Sequence, residues 1–189
     1  MRSVKLENSG TTDVVNPWIL VNGKRNWRTV ADIAREALQT YGDPDRMSDR
    51  DKAHDVREFF RSHRFHATTG DLDLRDPVGM LNVYGFALCG DNAPVLMELW
   101  RAVGLQARRG YPIAHRVCEA RYEGGWRMLD GDESILFLDR DNRTILPAGA
   151  VAHDHDLARR AYESQARFRR FTTSTAPTPA ISRCTKITA

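Results

Sequence analysis

The stretch CGDNAPVLMELWRAVGL, residues 89–105, constrains the fold of this chain more than any other. Ala93, Leu96, Met97, Trp100 and Val103 recur at the three- and four-residue spacing of one helical face. Gly104 supplies a C-terminal stop, because glycine takes up the left-handed conformation without steric cost. Pro94 belongs in or near the first turn, where its missing N–H is least felt. A helix with such a face needs an apolar surface to cover it, and the following segment supplies one. In HRVCEARYEGGWRMLDGD, residues 115–132, Val117, Glu119 and Arg121 alternate with Cys118, Ala120 and Tyr122, which is the period of a strand. Gly124-Gly125 marks a hairpin turn, and Trp126, Met128 and Asp130 fall on one face of the returning strand.

The N-terminal part is helical. Val30, Ile33, Ala34, Ala37 and Leu38 predict a helix from Thr29 to Tyr41, with Thr29 as N-cap and Asp32 three residues on. A second helix is predicted from about Ser48 to His63, burying Ala53, Val56, Phe59 and Phe60. Residues 64–84 read as irregular, with Gly70, Pro77 and Gly79 marking turns. SILFLDRDN reads as a strand and a turn, and a last helix is expected from Asp156 to Phe171. Residues 1–28 form an N-terminal extension with one short strand at Trp18–Val21, residues 29–171 the domain, and residues 172–189 a tail. That tail is rich in Thr, Ser, Ala and Pro without periodicity, so it reads as disordered, and its abrupt change of character suits a truncation end.

Bulk properties exclude several classes. The chain has 189 residues, enough for one domain, and its 41% hydrophobic content supports a real core. No run of 18 apolar residues is present, and MRSVKLENSG lacks the apolar stretch of a secretory signal, so no membrane partner is expected and the default location is cytoplasmic. The net charge of +3 is mild. The arginines of LARRAYESQARFRR have no aromatic stacking platform beside them, so they read as a solvated helix face and no nucleic-acid partner is expected. Cys89, Cys118 and Cys184 are far apart, odd in number and without CxxC spacing, which argues against a disulfide framework or a zinc site.

The chemistry then centres on Cys89, placed where the 89–105 helix begins. Unpaired N–H groups and the positive end of the helix dipole favour a thiolate there, and the thiolate is the nucleophile. Gly90 allows close approach of a substrate, and the N–H of Cys89 can point at the oxygen of a reacting carbonyl. His115, early on one strand of the hairpin, and Asp130, late on the next, are spaced to meet as base and orienter. Asp132 is a second carboxylate that competes for the same role, although it lies past Gly131, where the strand has ended. Tyr84 or Asn82 can supply a second oxyanion donor. Other residues have plainer readings. Cys118 is mid-strand and Cys184 lies in the tail, while Trp100 and Trp126 belong to the core. His153, Asp154, His155 and Asp156 are adjacent along the chain and do not converge on one ion without a further ligand. His63 and His66 mark a polar helix end. Asp139, Asp141 and Asn142 form a turn, because the glycine and late glutamate of a calcium loop are missing.

The ordered set Cys89, Arg101, Ala102, Gly104, Leu105, Ala107, Arg108, His115, Glu119, Gly125, Trp126, Leu129 and Asp130 resembles the transglutaminase-like core, over roughly residues 84–132. Val117 stands where that family often has an aromatic residue, and Gly131 where proline often follows the Asp. The resemblance implies a papain-like α+β fold in which the nucleophile helix packs on an antiparallel sheet. It also implies a Cys89–His115–Asp130 triad acting on an amide or related acyl carbonyl through a thioacyl intermediate. The substrate would be a protein, a peptide or another amide-bearing molecule. Hydrolysis is favoured over cross-linking because nothing in the sequence excludes water, and the chemistry requires no cofactor and no metal. The alternative is a catalytically silent binding or scaffold module of the same fold.

Overall fold

Two capping boxes start the helical lead-in. The computed structural model describes residue 11 and residues 27–68, 74–110, 115–133 and 135–161. The expected strand at Trp18–Val21, the last helix beyond residue 161 and the tail from residue 172 lie outside the described residues. Helix α1, Val30–Tyr41, is opened by Thr29, whose hydroxyl accepts from the Asp32 N–H while the Asp32 carboxylate accepts from the Thr29 N–H. Helix α2, Asp49–Ser62, repeats the device with Ser48 and Asp51. The apolar positions Ala53, Val56, Phe59 and Phe60 are all buried. Trp27 also packs into this core, edge-on to Phe59 at 5.7 Å, so the packed chain begins before the first helix.

Residues 64–84 are more ordered than their turn residues suggest. A short strand β1, Phe65–His66, pairs in parallel with β2, Phe86–Ala87. Between them lie a helical turn α3, Pro77–Gly79, and a π-helical turn, Met80–Tyr84. The signal was an Asp-Pro start. Asp76 caps the turn by accepting from the Val78 and Gly79 N–H groups, and Pro77 sits at its first position.

Helix α4, Cys89–Ala102, is the centre of the molecule. Asn92, Ala93, Val95, Leu96, Met97, Leu99 and Trp100 are buried, so the helix is covered on more than the one face its periodicity predicts. It packs against α1, α2 and the sheet. The helix begins at Cys89, so Pro94 lies inside it, past the first turn, and cannot donate to the Gly90 carbonyl. Gly104 takes φ +87 beyond the end of the helix, as a glycine stop requires.

The sheet has three antiparallel strands in the order β3 (Ala107–Gly110), β4 (Val117–Tyr122), β5 (Gly125–Met128). The hairpin turn is Glu123-Gly124, one residue earlier than the Gly-Gly pair suggests, and both residues have positive φ (49° and 71°). Cys118, Ala120, Tyr122 and Leu129 face the helices. Val117 and Met128 face a smaller core formed with Ile135, Phe137, Leu146 and helix α5, Ala148–His153. Because both faces are covered, Glu119 is buried as well. Its carboxylate accepts from the Arg108 Nε–H at 2.5 Å and from the Ala148 N–H at 2.6 Å, which opens α5. Trp126 is half-buried beneath the Arg108 guanidinium, 4.3 Å from the ring centroid, and is not a core residue.

Among the described residues, the segment expected to form a strand around SILFLDRDN makes one isolated bridge, Leu138 with Ile145, about the turn at Asp139–Asn142. Asp141 holds that turn by accepting from the Arg143 and Thr144 N–H groups and the Thr144 hydroxyl. Residues 155–161 are helical, with Leu157 buried. Among the described residues no helix is long and apolar enough to cross a membrane.

Candidate active site

Strand β2 delivers the chain directly into α4, and Cys89 is the first residue of that helix. Leu88 is the N-cap and gives no side-chain cap, while its carbonyl accepts from the Asp91 and Asn92 N–H groups, each at 3.0 Å. The N–H groups of Cys89 and Gly90 precede these and have no intrahelical acceptor. The Arg116 guanidinium lies over Gly90, so that a Cβ added there would stand 3.5 Å from it. Cys89 is half-buried, whereas Cys118 is fully buried, and burial pushes the Cys118 thiol well above its usual range. Its nearest polar contact is the Leu129 carbonyl at 3.7 Å. Cys118 is a packed residue and Cys89 an accessible one.

His115 and Asp130 meet. The His115 Nε2 lies 2.6 Å from Asp130 Oδ2, with the carboxylate side chain only 3% exposed. The other Asp130 oxygen accepts from the Asp132 N–H at 2.8 Å. The hydrogen bond that the imidazole donates to Asp130 holds its pKa up to about 9; burial opposes it, and the Asp130 charge and the Cys89 sulfur add to it. Sheet register explains the meeting. Glu119 pairs with Met128, so extending the ladder four residues sets His115 opposite Asp132 and diagonal to Asp130. Cys89 Sγ, a His115 ring nitrogen and an Asp132 carboxylate oxygen accordingly lie within 4.8 Å of one another.

The acid loop is held from behind by α2. Arg57, buried on that helix, donates through Nε to the Asp130 carbonyl at 2.6 Å, and through a terminal nitrogen to the Glu133 and Ile135 carbonyls at 3.1 and 3.4 Å. Arg64 donates to the Gly131 carbonyl and pairs with Asp132 Oδ1 at 3.0 Å. His66 Nδ1 and Asn92 Nδ2 reach the same oxygen at 2.9 and 2.7 Å. Asp132 therefore has a nearly enclosed side chain with one oxygen held by three neighbours. Sequence reading missed Arg57, Arg64, His66 and Asn92 as parts of this site. The available signal was an arginine among Ala53, Val56 and Phe60, on the apolar side of α2, and an asparagine one turn before Leu96 of α4.

The remaining candidates fall elsewhere. Asn82 donates to the Trp27 carbonyl at 2.8 Å, a structural contact. Tyr84 is partly exposed, with its ring edge-on to Phe86 at 6.3 Å. His63 stacks on Phe59 at 4.1 Å. Asp154 is paired with Arg140 and Asp156 with Arg159, both at 2.7 Å. Cys89, His115 and Asp132 are numerous enough to hold a thiophilic cation. However, the Asp132 oxygen that carries three donors includes a buried guanidinium among them, and that positive charge opposes a cation at the same atom. A cavity of about 270 Å³ lined by Arg50, Tyr122, Arg127 and Arg143 lies at the turn end of the hairpin, the opposite end from His115.

No family model and no curated protein matches the chain. Among solved structures it is similar to one described as a TGase, with a TM-score of 0.44 and 14% identity over 65% of this chain and 35% of that one. It is also similar to a proposed cysteine protease from Cytophaga hutchinsonii, with a TM-score of 0.42 and 15% identity over 61% of this chain and 38% of that one. The chain thus spans little more than a third of the length of the solved structures it matches. Its own elements give it an α+β fold in which a helix opened by Cys89 packs on an antiparallel sheet, with His115 and Asp130 at the end of that sheet nearest the cysteine.

Proposed function

We propose that this chain is a cysteine enzyme of transglutaminase-like type that attacks an amide or related acyl carbonyl, with hydrolysis as the outcome. The observation that carries the reading is the His115–Asp130 pair at 2.6 Å, beside a half-buried cysteine at the start of a helix. With a pKa of about 9, His115 holds a proton at neutral pH and is ready as a general acid. The Cys89 sulfur adds to the carbonyl carbon, and the unpaired N–H groups of the first helical turn face the developing oxyanion. The carbon–nitrogen bond then breaks as His115 gives its proton to the leaving amine, which leaves a thioacyl enzyme. Water attacks that thioester, His115 takes one of its protons, and the carbon–sulfur bond breaks to release a carboxylic acid and restore the thiolate–imidazolium pair. Asp130 keeps the imidazole oriented throughout.

Iodoacetamide tests the site without knowledge of the substrate. At pH 7 it should alkylate Cys89 much faster than it alkylates N-acetylcysteine, as read by intact mass and peptide mapping. A rate equal to that of the free thiol would favour a catalytically silent binding module. Incubating the enzyme with a peptide mixture and a fluorescent primary amine then separates the two outcomes. New carboxyl termini or deamidated side chains mark hydrolysis, and amine incorporation marks transfer.

A further inference from the structure

We propose that Asp132 is a positioning residue that locks the nucleophile helix to the loop carrying Asp130; this deepens the function proposed above and rests on it. One carboxylate oxygen of Asp132 joins three elements. It takes Arg64 from beyond the end of α2 at 3.0 Å, His66 from β1 at 2.9 Å and Asn92 from the first turn of α4 at 2.7 Å. The Asp132 and Arg64 side chains are each 3% exposed, and Asn92 is equally enclosed. The Asp132 N–H returns to Asp130 Oδ1 at 2.8 Å. A displacement of Asp132 therefore moves the nucleophile helix through Asn92 and the imidazole through Asp130.

Stability does not explain this network. A buried ion pair is commonly no better for stability than apolar residues of the same volume. The Arg64 Nε and the Asn92 Oδ1 are buried without a hydrogen-bond partner among the described residues, which is a further cost. An expensive polar cluster makes sense where it fixes geometry, and this one lies within 4.8 Å of both Cys89 Sγ and the His115 ring. Arg64 has a second part in the arrangement. It offsets the charge that a carboxylate would otherwise present to the sulfur. The two aspartates thus divide the labour. Asp130 orients the base, and Asp132 holds base and nucleophile in register.

The test is the rate of Cys89 alkylation by iodoacetamide at pH 7 in full-length Asp132→Asn, Asn92→Ala and the double variant. Rates are compared at a temperature where near-ultraviolet circular dichroism shows each protein folded. A role confined to stability leaves the rate of the folded protein unchanged. Positioning lowers it by about 10- to 100-fold in each single variant, on the scale of a misplacement of an ångström. The double variant should be no slower than the slower single one, because both changes break one link. If Asp132→Asn does not fold, Asn92→Ala decides, since it spares the Arg64–Asp132 pair. Folded variants that react at the wild-type rate overturn the proposal while the function proposed above stands. A wild-type Cys89 no faster than a free thiol removes both.

Discussion

Replacing Asp130 with asparagine should collapse the electrostatics of His115. The imidazole is held at about 9 against an ordinary value of 6.5, and the hydrogen bond it donates to Asp130 is the largest cause. At 1.36 kcal/mol per tenfold in proton affinity, the imidazolium is favoured by about 3 kcal/mol. In Asp130→Asn the amide retains the shape but loses the charge, and the burial that opposes protonation is left with the Cys89 contact alone against it. The assay is an NMR titration of the His115 ring carbons in histidine-labelled protein. The wild-type midpoint should lie near 9, and the variant midpoint should fall toward 6.5. The same change sets a window of stability. The folded-state pKa is raised above the unfolded one, so the contribution is fully present below about 6.5 and is lost as pH rises through about 9. Urea unfolding should therefore show a wild-type advantage that is larger near pH 6 than above pH 9. Alkylation of Cys89 at neutral pH should slow by roughly tenfold to a thousandfold, less than the loss in a serine triad. A variant in which His115 still titrates near 9 would refute the assigned cause.

Three further outcomes follow from the packing. Cys89→Ala should leave the circular dichroism unchanged and abolish the fast iodoacetamide adduct of the folded protein, leaving Cys184 to react at the rate of a free thiol and Cys118 only after denaturation; a fast adduct on folded Cys89→Ala would count against the site. Arg57→Ala removes the donor to the Asp130, Glu133 and Ile135 carbonyls and should cost about 3 kcal/mol or more in urea unfolding; an unchanged midpoint would show that the loop does not depend on it. Gly131→Ala places a methyl 2.9 Å from Leu96 Cδ2 and 3.1 Å from Phe60 Cε1, so the Tm should fall by the equivalent of about 1–3 kcal/mol; a wild-type Tm would mean the loop gives way freely.

The parts of this fold legible in the sequence are those set by local rules. Thr29 with Asp32 announced α1 by hydroxyl and carboxylate spacing alone, and the alternation from Val117 to Tyr122 announced a strand. The start of α4 at Cys89 and the meeting of His115 with Asp130 were legible because a helix start and a hairpin fix where those residues go. The register was less so. Glu123 adopts positive φ in the turn, an uncommon choice for a residue with a Cβ, which moves the turn one residue from the glycine pair. What could not be read is tertiary. The covering of both sheet faces depends on the segment from Ile135 to α5, whose apolar residues suggest a strand but pack as a bridge, a turn and a short helix. Asp132 could be read only as a rival carboxylate past the strand end, because its three partners lie 40 to 68 residues away in the chain, a separation with no periodic signature.

Two buried arginines, Arg57 on α2 and Arg64 just beyond its end, also bear on the order of assembly. Arg57 reaches 73 residues ahead to the Asp130 carbonyl, and Arg64 reaches 67 ahead to Gly131. Helices α1 and α2 carry their own start signals and can form early, while the chain beyond them is still being made. Arg57 has Glu58 beside it, but the carboxylate that pairs with Arg64 is Asp132, and until the acid loop brings it the Arg64 guanidinium cannot be enclosed without leaving charge unpaired in an apolar setting. The helical pair must then stay open on that side, and it closes in the same step that brings Asp130 and Asp132 into place. A partly folded chain is thereby kept from owning a closed core without its site, so loss of thiol reactivity and loss of the native core should coincide along an unfolding curve.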